Sequence, residues 1–104
     1  MSYLFERCDM AIEQKILDAA ALFHEFELNK EAALAKYNQT QEIKVSGRIK
    51  VAVKGKYILL DGGVRCQFDS PFYPPKARRD QRILVTGFVT GFEVHVDMEH
   101  CAVL

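Results

Sequence analysis

Basic side chains near the middle of the chain, together with one tyrosine, could bind an anionic polymer. Residues 44–82 hold ten lysines and arginines against three acidic residues, a balance of +7. Cations neutralise phosphates and an exposed aromatic ring stacks on a base, which are the two requirements of a site for single-stranded nucleic acid. The candidate ligand-binding residues are Lys44, Arg48, Lys50, Lys54, Lys56, Tyr57 and Arg65.

The rest of the chain is acidic, so the net charge of the whole is zero. The balance is −4 over residues 1–43 and −3 over residues 83–104. Such a separation gives the central segment a local positive field, although solvated charged faces would produce the same pattern. A second basic cluster consists of Lys76, Arg78, Arg79 and Arg82. It is a candidate anion site, but it could equally be a flexible loop or a contact for the acidic helix of a second copy.

Three cysteines and two late histidines are the other groups that could do chemistry. Cys66 falls in an apolar row and Cys101 follows the last alternating segment, so we expect the two to be neighbours in the fold, either as thiols or as a disulfide; Cys8 should be remote. His95 and His100 differ by five positions and should point to opposite faces of a strand, which argues against a metal site. No set of residues predicts a catalytic centre or a cofactor.

The elements that must position these side chains are strands. From Glu42 onward, apolar and polar residues alternate, which indicates strands with one buried and one wetted face. Gly47 and Gly87 interrupt two apolar rows and predict bends or bulges. Lys54-Gly55-Lys56, Asp61-Gly62-Gly63 and Gly91 predict turns. The predicted strands are 42–53, 57–60, 64–68, 82–90 and one that begins at Phe92, with a proline-containing loop over residues 69–81.

Five strands in this rhythm predict a mainly β protein, a five-stranded OB-fold (Greek-key) barrel preceded by one or two α-helices. The chain of 104 residues is one domain, with a helical segment over about 10–38 and the barrel over about 42–104. The residues expected in the core are Ile43, Val45, Val51, Val64, Phe68, Ile83, Val85, Val94 and Val96.

Two helices are predicted before the barrel. The first runs from residue 10 to about 27, capped by Asp9, and buries a stripe formed by Ile12, Ile16, Ala20 and Phe23. The second follows a break at Asn29 and extends to Tyr37, with Ala33 and Tyr37 on one face.

Several segments in this order resemble one family. They are Asn29 to Tyr37, with Asn29, Ala33 and Tyr37 in register, followed by residues 43–47, 64–68, 83–87 and 100–104. This resembles the tRNA anti-like family of bacterial OB-fold domains over about the last four-fifths of the chain. The resemblance implies an OB barrel and carries no catalytic residues. The chain departs from the family in having Asn38-Gln39 where a glycine usually follows the tyrosine helix.

The sequence therefore predicts a small non-enzymatic binding domain. Its ligand would be single-stranded nucleic acid or another anionic ligand; alternatively, it would be a protein-interaction or assembly module, with a protein partner or a second copy. The first residues lack the apolar region of a signal peptide, which predicts a cytoplasmic protein if Met1 is the natural start, whereas relatives in the family are often exported. No apolar run is long enough for a membrane span.

Overall fold

The computed structural model describes residues 15–37, 40–69 and 72–104. Its elements, in chain order, are strand β1 (Ile16–Asp18), helix α1 (Ala19–Leu28), helix α2 (Lys30–Lys36), and strands β2 (Ile43–Val53), β3 (Tyr57–Leu60), β4 (Val64–Phe68), β5 (Arg82–Phe92) and β6 (Val96–Val103). The predicted helices followed by five barrel strands are confirmed.

Strands β2 to β6 close into a barrel because β2 pairs with both β5 and β3. Its first half lies antiparallel to β5, from Ile43 opposite Gly87 to Arg48 opposite Arg82. Its second half pairs with β3, beginning at Ile49. The order around the barrel is β2-β3-β4-β6-β5 and back to β2, with β4 and β6 parallel. This is a Greek-key order of five strands, as expected for an OB-fold.

The N-terminal segment differs from the prediction. Ile16–Asp18 forms β1, which pairs in parallel with residues 44–46 of β2, and α1 begins only at Ala19 because the Asp18 carboxylate accepts hydrogen bonds from the backbone N–H groups of Ala20 and Ala21. The predicted apolar stripe is wrong at Ile16, which is 52% exposed, and at Ala20, which is exposed. Its third described member, Phe23, does pack against the core, with its ring centroid 5.6 Å from that of Phe92. Asp9 and Ile12 lie outside the described residues. The buried face of α1 is one position out of phase, at Ala19, Leu22 and Phe26.

Helix α1 covers the end of the barrel where β3 turns into β4. A Cβ placed on Gly47 would lie 3.0 Å from the Cβ of Ala19, and one placed on Gly62 would lie 2.6 Å from the Cα of Ala20. Gly62 and Gly63 also have φ values of +102° and +103°, which side chains rarely adopt. The tight turn and the close approach of the helix therefore both require glycine at position 62.

The two helices are joined by Asn29, as predicted. Its N–H donates to the carbonyl of Glu25 at the end of α1, and its side chain caps α2 by accepting from the N–H of Ala32. The Phe26 ring stacks between the rings of Tyr37 and Phe92, with centroid distances of 6.0 Å and 5.3 Å. These contacts bury Ala33 and Tyr37 and hold α2 against the barrel.

The predicted irregularity at Gly87 is confirmed: the register shifts between Thr86 and Phe88, where Gly87 faces an extra residue on β6. Two other bulges lie at positions that the sequence does not mark. On β2, Ile49 pairs with Leu60 and Val51 pairs with Leu59, so Lys50 is an extra residue and the alternation reverses after it. Val51 is therefore 43% exposed, against the prediction that it belongs to the core. A shift between Val89 and Gly91 places Gly91 inside β5 opposite Asp97, not in a turn.

The turn between β5 and β6 consists of residues 93–95, and this corrects a second core assignment. Val94 lies at this turn and is 74% exposed. The other seven predicted core residues are buried: Ile43, Val45, Val64, Phe68, Ile83, Val85 and Val96.

Gly87 makes room for a sulfur atom. A Cβ at this position would lie 2.7 Å from Sγ of Cys101 and 3.2 Å from the carbonyl oxygen of Glu99. Like Gly47, it is needed for close packing; neither is itself the inserted residue of a bulge.

Candidate nucleic-acid interface

One outer surface of the barrel combines apolar, aromatic and polar side chains. Because side chains directly opposite each other on paired strands share a face, the register places Val51 beside Leu59 and Val53 beside Tyr57. The same rule places Tyr57 beside Gln67 and Leu59 beside Arg65. We call this surface the outer face; it consists of Val51, Val53, Tyr57, Leu59, Arg65 and Gln67.

The reversal at Lys50 creates the apolar part of the outer face. Without the extra residue, Val51 would point into the barrel and Lys50 outward. With it, Val51 and Val53 join Leu59 and Tyr57 on the outside, where Val51 is exposed and the other three are half-buried. The reversal therefore gives the outer face three aliphatic side chains, Val51, Val53 and Leu59, beside Tyr57.

Arg65 lies at the centre of the outer face and is held by two neighbours. Its Nε donates to Oδ1 of Asp97 on β6 at 2.9 Å. Its guanidinium carbon lies 5.6 Å from the centroid of the Tyr57 ring, within the range of a cation–π contact. The side chains of Arg65 and Asp97 are 36% and 23% exposed, so the pair is only partly open to solvent. Arg65 therefore orders Tyr57 while Asp97 offsets part of its charge.

Two lysines border this surface at the turn between β2 and β3. Gly55 supplies the positive φ of +77°, and the N–H of Lys56 donates to the carbonyl of Val53 at 2.9 Å. Lys54 and Lys56 are exposed. Within residues 15–37, 40–69 and 72–104, neither has a carboxylate partner. The turn therefore places two free cations next to Tyr57.

The other predicted basic residues do not form one row with these lysines. Lys44 lines a groove of about 440 Å³ that also includes Glu25, Lys36 and Tyr37. Arg48 lines a smaller pocket with Asp18, Asp61 and Arg82. Lys50 is exposed at the bulge, between Arg48 and the outer face. Of the seven candidate residues, the structure brings together Lys54, Lys56, Tyr57 and Arg65.

The groove at Lys44 is bordered by charges that already satisfy one another. The Tyr37 hydroxyl donates to Glu25 at 2.8 Å, and Lys36 Nζ donates to the other oxygen of that carboxylate at 2.9 Å. The bond from Lys36 lowers the pKa of Glu25, whereas burial and the bond to Glu25 raise the pKa of Tyr37. This network links the end of α1 to the end of α2 and ties up Glu25, Lys36 and Tyr37 with one another.

The two described cysteines meet inside the barrel. Cys66 and Cys101 are both buried and unbridged. A hydrogen bond with the Cys101 thiol, together with burial, raises the pKa of Cys66 well above its usual range. Cys8 lies outside the described residues. Both thiols are packed as small core side chains.

The described part of the chain shows neither a cluster of metal ligands nor a membrane-spanning helix. No group of three or more histidines, cysteines or acidic residues there could hold a metal ion. No helix among the same residues is long and apolar enough to cross a membrane.

Sequence reasoning missed four members of the outer face, the apolar Val51, Val53 and Leu59 and the polar Gln67, none of which was among the candidate site residues. Alternation assigned Val51 to the core, and the bulge that exposes it has no glycine to mark it. The pairing of Val51 with Leu59, which exposes it, is seen only in the structure, so the sequence offered no signal for this residue.

Comparison with known proteins adds no relative. No protein-family model matches the chain, and no curated protein matches it at a significant level. The resemblance to the tRNA anti-like family therefore stays a prediction.

Proposed function

We propose that the protein is a non-enzymatic domain that binds single-stranded nucleic acid across the outer face. The observation that supports this most directly is the Tyr57 ring, which is ordered by Arg65 and lies beside Lys54 and Lys56. Neither lysine has a carboxylate partner in the part of the chain that the structure describes. The aromatic ring can stack on a base, and the lysines can neutralise the phosphates of the strand. The first hairpin and the strands that follow it are also where OB-folds hold oligonucleotides.

The outer face suits an extended ligand better than a compact one. Val51 and Leu59 continue the apolar surface beyond Tyr57, so neighbouring bases can lie against aliphatic side chains. Gln67, opposite Tyr57, offers its amide NH₂ as a donor and its amide oxygen as an acceptor. Tyr57 is the one aromatic residue of this surface, so we expect modest affinity and little discrimination between sequences.

The first test is the salt dependence of binding, measured by fluorescence anisotropy of a labelled oligothymidylate. For single strands, the slope of log K against log salt is about −0.7 per neutralised phosphate. Lys54→Gln/Lys56→Gln should therefore make the slope shallower by about 1.4. Lys15→Gln/Lys30→Gln removes the same charge from exposed positions outside the outer face and should leave the slope unchanged.

The second test separates stacking from charge. Tyr57→Ala should weaken binding by about 1–3 kcal/mol, because it removes the ring, whereas Tyr57→Phe keeps the ring and should bind almost normally. Equal losses in both variants would contradict stacking. Absence of binding by the wild type at low salt would contradict the proposal as a whole and leave the protein-interaction alternative.

A further inference from the structure

A second basic surface lies away from the outer face, at a turn formed by residues 78–81. The N–H of Gln81 donates to the carbonyl of Arg78 at 3.2 Å, and the side-chain Oε1 of Gln81 accepts from the N–H of Arg78 at 3.0 Å. These reciprocal bonds close the turn. We call it the arginine turn because it presents Arg78 and Arg79.

Two backbone hydrogen bonds to Ile49 of β2 fix the arginine turn to the barrel. The N–H of Asp80 donates to the carbonyl of Ile49 at 2.7 Å, and the N–H of Ile49 donates to the carbonyl of Gln81 at 2.8 Å. Asp80 has a φ of +70°, a conformation that an aspartate tolerates but that glycine prefers. The main chain here is therefore held in one shape before any ligand arrives.

The side chains at this turn supply donors and positive charge. A pocket of about 440 Å³ is lined by Lys76, Arg78 and Gln81, and no carboxylate lines it. Because Oε1 of Gln81 is occupied by the Arg78 N–H, the amide NH₂ is the group left to face a ligand. Among the described residues, Lys76, Arg78 and Arg79 have no ion-pair partner, whereas Arg82 lies 3.7 Å from Asp18.

We propose that the arginine turn binds a phosphoryl group, with Lys76 and Arg78 supplying charge and Gln81 a hydrogen bond. A phosphate presents several acceptor oxygens and no donors when ionised, which matches a pocket that offers only donors. A guanidinium can hold two such oxygens at once, and a fixed turn reduces the ordering that binding requires. This site does not depend on the outer face and is not part of the proposed function.

The test is a titration of ¹⁵N-labelled protein with inorganic phosphate at low chloride, followed by amide chemical shifts. Saturable shifts should appear at residues 78–81. Gln81→Glu keeps the oxygen that accepts from Arg78 but replaces the NH₂ donor with negative charge, so affinity should fall about tenfold or more. Gln41→Glu makes the same change at an exposed position that belongs to neither the outer face nor the arginine turn, and it should leave phosphate affinity unchanged.

Equal weakening in Gln81→Glu and Gln41→Glu would show an effect of net charge alone and would overturn the site, as would unchanged binding in Gln81→Glu. If Gln81→Glu is poorly folded, Arg78→Gln replaces it, because only the backbone of Arg78 takes part in the turn. Phosphate binding that persists while oligonucleotides fail to bind would refute the proposed function and leave this site standing.

Discussion

Gly87→Ala should destabilise the protein through a single contact inside the barrel. The added Cβ would lie 2.7 Å from Sγ of Cys101, well inside ordinary contact distance, and 3.2 Å from the carbonyl of Glu99. Cys101 is 1% exposed and has little space to move into. Forcing a methyl group into a packed core costs about 1–3 kcal/mol, so the free energy of unfolding in urea should fall by that amount.

A double-mutant cycle identifies the contact responsible. Cys101→Ala removes the sulfur atom, so Gly87→Ala should cost less in that background, with an interaction energy of about 1 kcal/mol or more. The carbonyl of Glu99 remains, so the rescue should be partial. Gly91→Ala is the matched control: an added Cβ there meets nothing within 4 Å, and stability should change by less than about 0.5 kcal/mol.

Two results would refute this reasoning. Wild-type stability of Gly87→Ala would mean that the barrel gives way easily at this point. Simple addition of the Gly87→Ala and Cys101→Ala losses would mean that the cost arises from the strand backbone and not from the sulfur.

Three further outcomes follow from the structure. Val85→Ala should lower the unfolding free energy by about 2–4 kcal/mol in urea denaturation, because Val85 is fully buried; a loss below about 0.5 kcal/mol would place it outside the core. His100 Nδ1 lies 3.0 Å from a carboxylate oxygen of Asp69, and this hydrogen bond raises the pKa of His100 above its usual value of 6.5. The pair therefore stabilises the fold fully below the pKa of His100 in the unfolded chain, and this stabilisation is lost as pH rises through the pKa in the folded protein. Asp69→Asn should lower that pKa in an NMR titration, and an unchanged value would contradict the pair. Asp80→Asn should tighten phosphate binding without lowering the unfolding temperature, because asparagine tolerates positive φ and carries no charge; weaker binding would contradict the donor-only pocket.

The barrel could be predicted from the sequence because burial on one face imposes a period of two on every strand. The turns at Gly55 and Gly62-Gly63 were predictable for a related reason, since only glycine adopts those backbone angles easily. Asn29 was recognisable as a break because its short side chain caps a helix better than it continues one.

The N-terminal segment was not predictable in this way. Ile16 fits a helical stripe as well as a strand, and what decides between them is the unpaired edge of β2 at residues 44–46, which lies far along the chain. Asp18 then caps α1 at a point that local periodicity assigns to the interior of a helix.

The candidate site was predicted in part. The turn lysines, Tyr57 and Arg65 could be chosen from charge and type alone, but their relation to Asp97 comes from the parallel pairing of β4 with β6. Val51 could not be chosen, because a one-residue bulge at Lys50 moves it from the core to the surface and alternation carries no trace of that insertion.

The measurement that tests the central claim most directly is the position of a bound oligonucleotide on ¹⁵N-labelled protein. At low salt, an unlabelled oligothymidylate should shift the amides of Lys54, Lys56, Tyr57, Arg65 and Gln67, and those shifts should diminish together as salt is raised. Shifts confined to the groove at Lys44 would contradict binding across the outer face. The absence of any shift at millimolar oligonucleotide would contradict it as well.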